Sequence, residues 1–476
     1  MSAKIQREKS FFVALTEGER RGLLSVFYTF ILIVGVYAFI ADRATMILVY
    51  LSFVLYVLAL MFPLLSGAFR YKGIFHPIVF YAVWSGLRSL LTGKAVLAAN
   101  GLESHRALIG LSGDALDFIV VQSFFLETLA VIALYSGYAL KPTLWLPSLA
   151  VENPGRLSLK ALIWLLLPVG AVAILADKTG GLGQLMLQRG IASDQRIGAQ
   201  IGGHWAFFAS AGEIVPIVWL ALDKYGTKKI IFWAATVIGL GCTFAATGSR
   251  GSVIFPLIMV GAMWVMQHKK IPYMVILMGI FISLFLIGAL GEFRVATRGV
   301  KSIAEIEYQA DTISSIKKGF EEIQRGATYN NGQLAILGSV PREVGHLYGE
   351  SYLSIPFIFI PDAIWPGEPP DAAGKLNATR IYGNPRTGIP AGLVGEAYWN
   401  FSWLGPILIF GLYGMGLSLA EQIFLKNQGN ALIAVIYLYV LFLFAPGSNE
   451  LYNFFQTLAP AIFFYIFVVW TRKVLF

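Results

Sequence analysis

An all-α polytopic membrane fold with about twelve transmembrane helices is predicted by three observations. The 476 residues are 57% hydrophobic and only 13% charged, a balance that soluble domains of this size do not keep. Apolar runs close to the roughly 20 residues needed to cross a hydrocarbon core recur along the whole chain. The basic residues between those runs also sort by side, as they do in membrane proteins.

Measured against that length, spans fall at 23–41, 46–69, 74–91, 116–140, 159–176, 206–223, 230–246, 252–267, 272–291, 396–420, 430–446 and 455–472. The third is the weakest, because His76, Pro77 and Arg88 interrupt it. An even number of spans returns both termini to one side, and that side collects Lys4, Arg7, Lys9, Arg20, Arg21, Arg70, Lys72, Lys141, Arg156, Lys160, Lys224, Lys228, Lys229, Lys269, Lys270, Lys426, Arg472 and Lys473. Lysine and arginine accumulate in short cytoplasmic loops, so both termini are expected in the cytoplasm. The polar opening MSAKIQREKSFFVALTEGERRG is unlike a secretory leader, and no cleaved signal peptide is expected. The whole chain reads as one integral membrane domain, 1–476, with a large exterior loop at 292–395.

That loop has structure of its own. Ser302 and Glu305 have capping-box spacing, and Ile303, Ile306, Ala310, Ile313, Ile316, Phe320 and Ile323 follow at helical steps. An amphipathic helix over 303–325 is expected, lying on the membrane surface or packed on the bundle. The run YLSIPFIFIPDAI, 352–364, is too short and too proline-broken to span. It is followed by an irregular loop rich in proline and glycine, of the kind that carries function on a rigid scaffold.

The net charge of +9 records topology rather than affinity for nucleic acid, which is not an expected partner. A single cysteine, Cys242, excludes an intrachain disulfide framework and a thiolate zinc cluster. No Asp-x-Asp lies on the exterior, and there is no histidine pair at ligand spacing, no Walker A pattern and no Gly-x-Ser-x-Gly. Neither a metal nor another cofactor is expected. The exterior basic residues are mainly arginines: Arg43, Arg106, Arg189, Arg196, Arg250, Arg294, Arg298, Arg325, Arg342, Arg380 and Arg386. The guanidinium fork pairs bidentately with phosphate or carboxylate, so their concentration points to an anionic ligand outside. Any one of them alone is equally explained as an arginine meeting lipid headgroups.

Two clusters stand out. In Thr247-Gly248-Ser249-Arg250-Gly251, on an exterior turn, glycines allow close backbone approach while Ser249 and Arg250 offer donors, an arrangement suited to an anion and also to a plain tight turn. In Gly392-Leu-Val-Gly-Glu396-Ala-Tyr398-Trp399-Asn400, where the loop feeds the tenth span, Glu396 sits at a membrane boundary. A carboxylate in such a partly dry place can serve as a general base, or it can cap a helix start. Tyr398 and Trp399 can stack sugar rings or form an interfacial belt. Glu127 and Glu213 fall within spans, where a carboxylate is either functional or bonded between helices. His204, at the outer mouth of the sixth span, is a second candidate base, and His346 in the loop is similar but less well placed.

The TGSRG turn at 247–251, IPDAIWPGEPP at 360–370 and GLVGEAYWNFSWLGP at 392–406 together resemble the Wzy-type oligosaccharide repeat-unit polymerases, which include O-antigen polymerases. Ser402 departs from the similar pattern Gly-Glu-x-Tyr-x-Asn-Phe-Gly, which ends in glycine. The resemblance implies an enzyme of the bacterial inner membrane that joins undecaprenyl-pyrophosphate-linked glycans at the periplasmic face, with a GT-C-like architecture and no metal. It implies that Arg250 and Ser249, with Arg294, Arg298, Arg380 and Arg386, hold the donor pyrophosphate. Glu396 would be the base, with His204 in reserve, and Tyr398, Trp399 and Asn400 would contact glycan. A chain-length regulator is an expected partner. An O-antigen ligase remains an alternative, although the isolated His204 and His346 do not form the histidine-centred motif expected there. A flippase or transporter of lipid-linked oligosaccharide is a second alternative, and a non-enzymatic scaffold a third.

Overall fold

The computed structural model describes residues 16–40, 45–66, 73–92, 111, 113–142, 155–187, 203–249, 251–296, 311–328, 331–357, 370–385 and 387–471. Its principal helices are α1 (Glu17–Ile40), α2 (Thr45–Leu65), α3 (Pro77–Thr92), α4 (Gly113–Ala139), α5 (Leu157–Thr179), α6 (Leu182–Leu187), α7 (Gly203–Ser210), α8 (Val215–Leu222), α9 (Ile230–Thr247), α10 (Gly251–His268) and α11 (Tyr273–Ala296). After these come α12 (Thr312–Thr328), α13 (Asn331–Ser339), α14 (Leu393–Phe401), α15 (Leu404–Lys426), α16 (Ala431–Phe442) and α17 (Ser448–Trp470). Among the described residues, 9 segments are long and apolar enough to cross a membrane, and the apolar stretches in α3 and α16 are shorter. Helix α1 covers the first expected span.

The backbone forms two compact units: Met1–Leu146 with Ile323–Leu425 and Val440–Phe455, and Pro147–Glu322 with Lys426–Tyr439 and Gln456–Phe476. In the first unit, α2 lies along α4, with Phe53 set edge-on to Phe124 at 5.5 Å between ring centres. Helices α4 and α15 cross at glycines. A Cβ on Gly137 would lie 2.0 Å from the Gly411 carbonyl oxygen, and one on Gly414 would lie 2.0 Å from that of Leu134. Small residues let membrane helices approach to backbone contact, where dispersion replaces the missing hydrophobic drive. Near this crossing, the hydroxyl of Tyr138 donates to Glu421, and His76 Nε2 stands 3.1 Å from Glu421 Oε1. Glu127 accepts from Gln333 Nε2 at 3.1 Å, so this carboxylate of the fourth span bonds between helices α4 and α13.

In the second unit the sixth expected span is interrupted. Residues 211–214 form turns between α7 and α8, and Glu213 sits in that break. Gly212 there touches Gly239 of α9 so closely that a Cβ on Gly239 would fall 2.3 Å from the Gly212 oxygen. Carbonyls released by the break find other donors: Trp164 Nε1 reaches Ala211 O at 2.9 Å, and Thr243 Oγ1 lies 3.4 Å from Ala209 O. Such repair by neighbouring helices is what makes a broken helix tolerable in lipid.

Two boundaries differ from the sequence expectation. The stretch expected as one span at 396–420 is divided, because Ser402 has φ 53° and ψ −146° and separates α14 from α15. Unbroken apolar composition across the junction hides this turn from a hydropathy reading. The amphipathic helix expected at 303–325 is observed as α12 at Thr312–Thr328, with 303–310 outside the described residues. It packs on α11 through its small residues: a Cβ on Gly288 would lie 1.8 Å from Ser315 O, and one on Gly319 would lie 2.0 Å from Leu284 O. Glu292 accepts from Ser315 Oγ at 2.9 Å and pairs with Lys318 at 2.5 Å. Ile313 and Phe320 stay exposed, at 79% and 49%.

Candidate functional site

Within the first unit, separate pieces of the 292–395 segment converge on α14, and glycines permit the convergence. Gly392, at φ 73°, turns the chain into the helix, and a Cβ there would lie 2.6 Å from Gln333 Oε1. Gly395 leaves room for the same side chain, since its Cβ would lie 3.1 Å from Gln333 Cα. Gln333 is thereby held between α14 and α4, where its amide also donates to Ser123 Oγ at 2.7 Å. Beyond the Ser402 turn, Gly405 folds the start of α15 against the Ala397 oxygen, 1.9 Å from where its Cβ would be.

Glu396 lies at the centre and is 2% exposed. Its Oε1 accepts from Ser351 Oγ at 2.7 Å, and its Oε2 accepts from the backbone N–H of Ser448 at 3.0 Å. Ser448 opens α17, so the carboxylate faces the positive end of that helix. Ser448 Oγ in turn accepts from Ala373 N at 3.0 Å. Asn400, one turn along α14, donates to Ser351 Oγ and to Glu396 O, both at 2.9 Å. One carboxylate and one amide therefore tie together the 349–351 and 373 segments, α14 and the start of α17. Burial raises the Glu396 carboxyl to about 7, against the lowering effect of the Ser351 and Ser448 hydrogen bonds, with nearby Glu450 adding to the rise. Burial, and then the Glu396 and Glu450 carboxylates, push the Tyr352 phenol well above its usual range.

The segment around residue 347 wraps the end of α14. Leu347 N donates to Trp399 O at 3.0 Å, Tyr348 N to Asn400 O at 3.1 Å, and Trp399 Nε1 to Gly345 O at 3.0 Å. The first two bonds satisfy carbonyls that the end of α14 leaves open. Tyr398, Trp399 and Asn400 are 4%, 0% and 0% exposed, so the residues expected to contact glycan face protein. The aromatic surface turned outward belongs to Tyr348, at 81%, and Trp403, at 43%. Arg380, on a single π-helical turn at Asn377–Ile381, gives its fork to Glu350 at 2.5 and 2.8 Å.

The other predicted residues fall in the second unit or outside the described residues. Gly248, at φ 63°, closes α9, and Ser249 is exposed, its N–H donating to Thr247 Oγ1 at 3.2 Å. Thr247 Oγ1 and Ser252 Oγ are 3.0 Å apart, so the hydroxyls of this turn largely satisfy one another. Arg250, Arg298 and Arg386 lie outside the described residues, while His204 and Arg294 are placed only as backbone of α7 and α11.

The family model described as O-antigen polysaccharide polymerase Wzy matches residues 204–476. The chain belongs to this family. No curated protein and no solved structure matches the chain. The match begins in α7 and takes in the TGSRG turn, the 292–395 segment, α14 and α17. Membership carries a polysaccharide-polymerase role for a multi-pass membrane protein. Ser351, Ser448 and Gln333, the partners that fix α14, are not among the residues the sequence singles out. Ser351 and Ser448 stand 45 and 52 residues from the carboxylate they bind, and no local spacing marks them. Only Ser448 carried a signal, as a hydroxyl residue after proline and glycine at the start of an apolar run.

Proposed function

We propose that this protein lengthens a lipid-linked glycan at the periplasmic face of the bacterial inner membrane. The acceptor hydroxyl of a newly delivered repeat unit attacks the anomeric carbon of the growing chain. The bond from that carbon to undecaprenyl pyrophosphate breaks, the pyrophosphate leaves with the electron pair, and the hydroxyl proton passes to Glu396. Lipid pyrophosphate is already a good leaving group, so arginines that neutralise its charge do the work without a metal. Arg250 is the leading ligand, with Ser249, Arg294, Arg298 and Arg386 as further candidates. A chain-length regulator is the expected protein partner.

The observation that carries this reading is the buried Glu396 carboxyl, gripped by Ser351 and by the start of α17, where burial raises it to about 7, the range suited to a general base. It is covered by the 349–351 segment, which Arg380 and Glu350 tie down through an exposed pair. Exposed pairs contribute only about 1 kcal/mol or less. A pyrophosphate that draws the Arg380 fork from Glu350 therefore loosens the cover over the base at small cost.

Incubation of the purified protein with lipid-linked repeat units tests the reading. A ladder of products is expected; a single transfer to lipid A-core would mean a ligase, and no product would favour transport or scaffolding. In the same assay Glu396→Gln should slow polymerisation by about 10²–10⁴-fold, and a wild-type rate in the folded variant would remove Glu396 from the chemistry. Arg250→Lys keeps the charge and loses the fork, so an unchanged rate would reduce Arg250 to a turn residue.

A further inference from the structure

We propose that His346 and Tyr348 form a sugar-binding shelf that holds the acceptor glycan over the end of α14. This rests on the polymerase reading above and names where one of its substrates sits. Tyr348 is 81% exposed and its backbone lies at φ 49°. A left-handed backbone costs a tyrosine about 1 kcal/mol, which glycine at the same place would not incur. The turn is nevertheless held firmly. Tyr348 N donates to Asn400 O at 3.1 Å, and Gly349 N, from a residue at φ 95°, donates to Asn400 Oδ1 at 2.9 Å. The phenol hydroxyl has no hydrogen-bond partner among the described residues, and the ring's contact with His346 leaves most of the side chain open. Strain of this kind, kept by surrounding structure, concentrates at ligand sites.

His346 supplies the polar half of the shelf. Its Nδ1 lies 3.1 Å from Trp399 O, and a carbonyl can only accept, so Nδ1 carries the proton. That leaves Nε2, which has no partner among the described residues, to meet a ligand hydroxyl. The His346 ring stands edge-on to Tyr348, with centres 6.1 Å apart, and to Tyr398, with centres 5.9 Å apart. A pyranose has an apolar C–H face and a rim of hydroxyls. The exposed phenol ring takes the face, and Nε2 accepts from the rim, the combination of apolar wall and few polar anchors that small-ligand sites use.

Titration of the purified protein with a free repeat-unit oligosaccharide, followed by tryptophan fluorescence, tests the shelf apart from catalysis. Tyr348→Gly should raise the thermal midpoint by removing strain and weaken oligosaccharide binding about tenfold. Tyr348→Phe should bind as wild type, and His346→Gln should bind more weakly. In the ladder assay, Tyr348→Gly should raise the acceptor KM and leave kcat nearly unchanged. A more stable Tyr348→Gly protein with unaltered binding would overturn the proposal and leave Tyr348 as a turn residue or a membrane-interface anchor. A wild-type protein that binds oligosaccharide in a Tyr348-dependent way but makes no ladder would count against the polymerase reading and for the shelf.

Discussion

At the residue scale, Glu396 couples the site to pH. Its carboxyl is raised from 4.5 to about 7, so the fold favours the protonated form. The stability this gives is fully present below about pH 4.5 and is lost as pH rises through about 7, a change on the order of 3 kcal/mol. Activity should run the opposite way, rising through about pH 7 as the base ionises. Glu396→Gln should flatten the dependence of thermal midpoint on pH, and an unchanged slope would show that another group titrates. Ser402 offers a second test. At φ 53° and ψ −146° it occupies a conformation that is essentially glycine's own. Ser402→Gly should stabilise the protein by about 1 kcal/mol, read as a higher melting temperature in detergent. The same position shows what sequence could and could not tell. The departure from glycine was visible there, but its meaning was not, because only backbone angles reveal that a turn rather than helix packing demands the small residue. Glu396 was legible from its motif, whereas the inward-facing set of Tyr398, Trp399 and Asn400 was not. Aromatic composition at a helix start does not say which way the rings point.

At the element scale, the apolar spans were the most legible feature, since length and hydropathy are local properties. Breaks within them were not, because residues 211–214 and Ser402 depend on partners far along the chain. The α4 and α15 crossing is likewise set by pairs such as Gly137 and Gly411. Gly414→Val should force these backbones apart and destabilise the protein by about 1–3 kcal/mol, with loss of folded yield in detergent. Gly416 lies on the same helix, but its Cβ would meet nothing closer than Phe444 at 3.5 Å, so Gly416→Ala should be tolerated. Equal yields for the two variants would mean that the crossing does not depend on backbone contact.

At the scale of the whole molecule, the sorting of lysine and arginine predicts cytoplasmic termini, and labelling tests that expectation. Cys242 is the only cysteine, so Cys242→Ala gives a silent background. With Arg342→Cys, a membrane-impermeant thiol reagent should label intact cells. With Lys228→Cys, labelling should require permeabilisation, and the reverse pattern would invert the topology. The interruption between α7 and α8 has a consequence for how this chain is made. Each half is 8 residues long, and the carbonyls at the break are met by Trp164, which emerges earlier, and by a hydroxyl of Thr243 shared with Gly239 O, which emerges later. Leaving the translocon alone, this segment would carry bare peptide groups into lipid. Joint insertion of 203–247 is the expected outcome, and a nascent chain truncated before Thr243 should crosslink to the insertion machinery for longer than one that includes it.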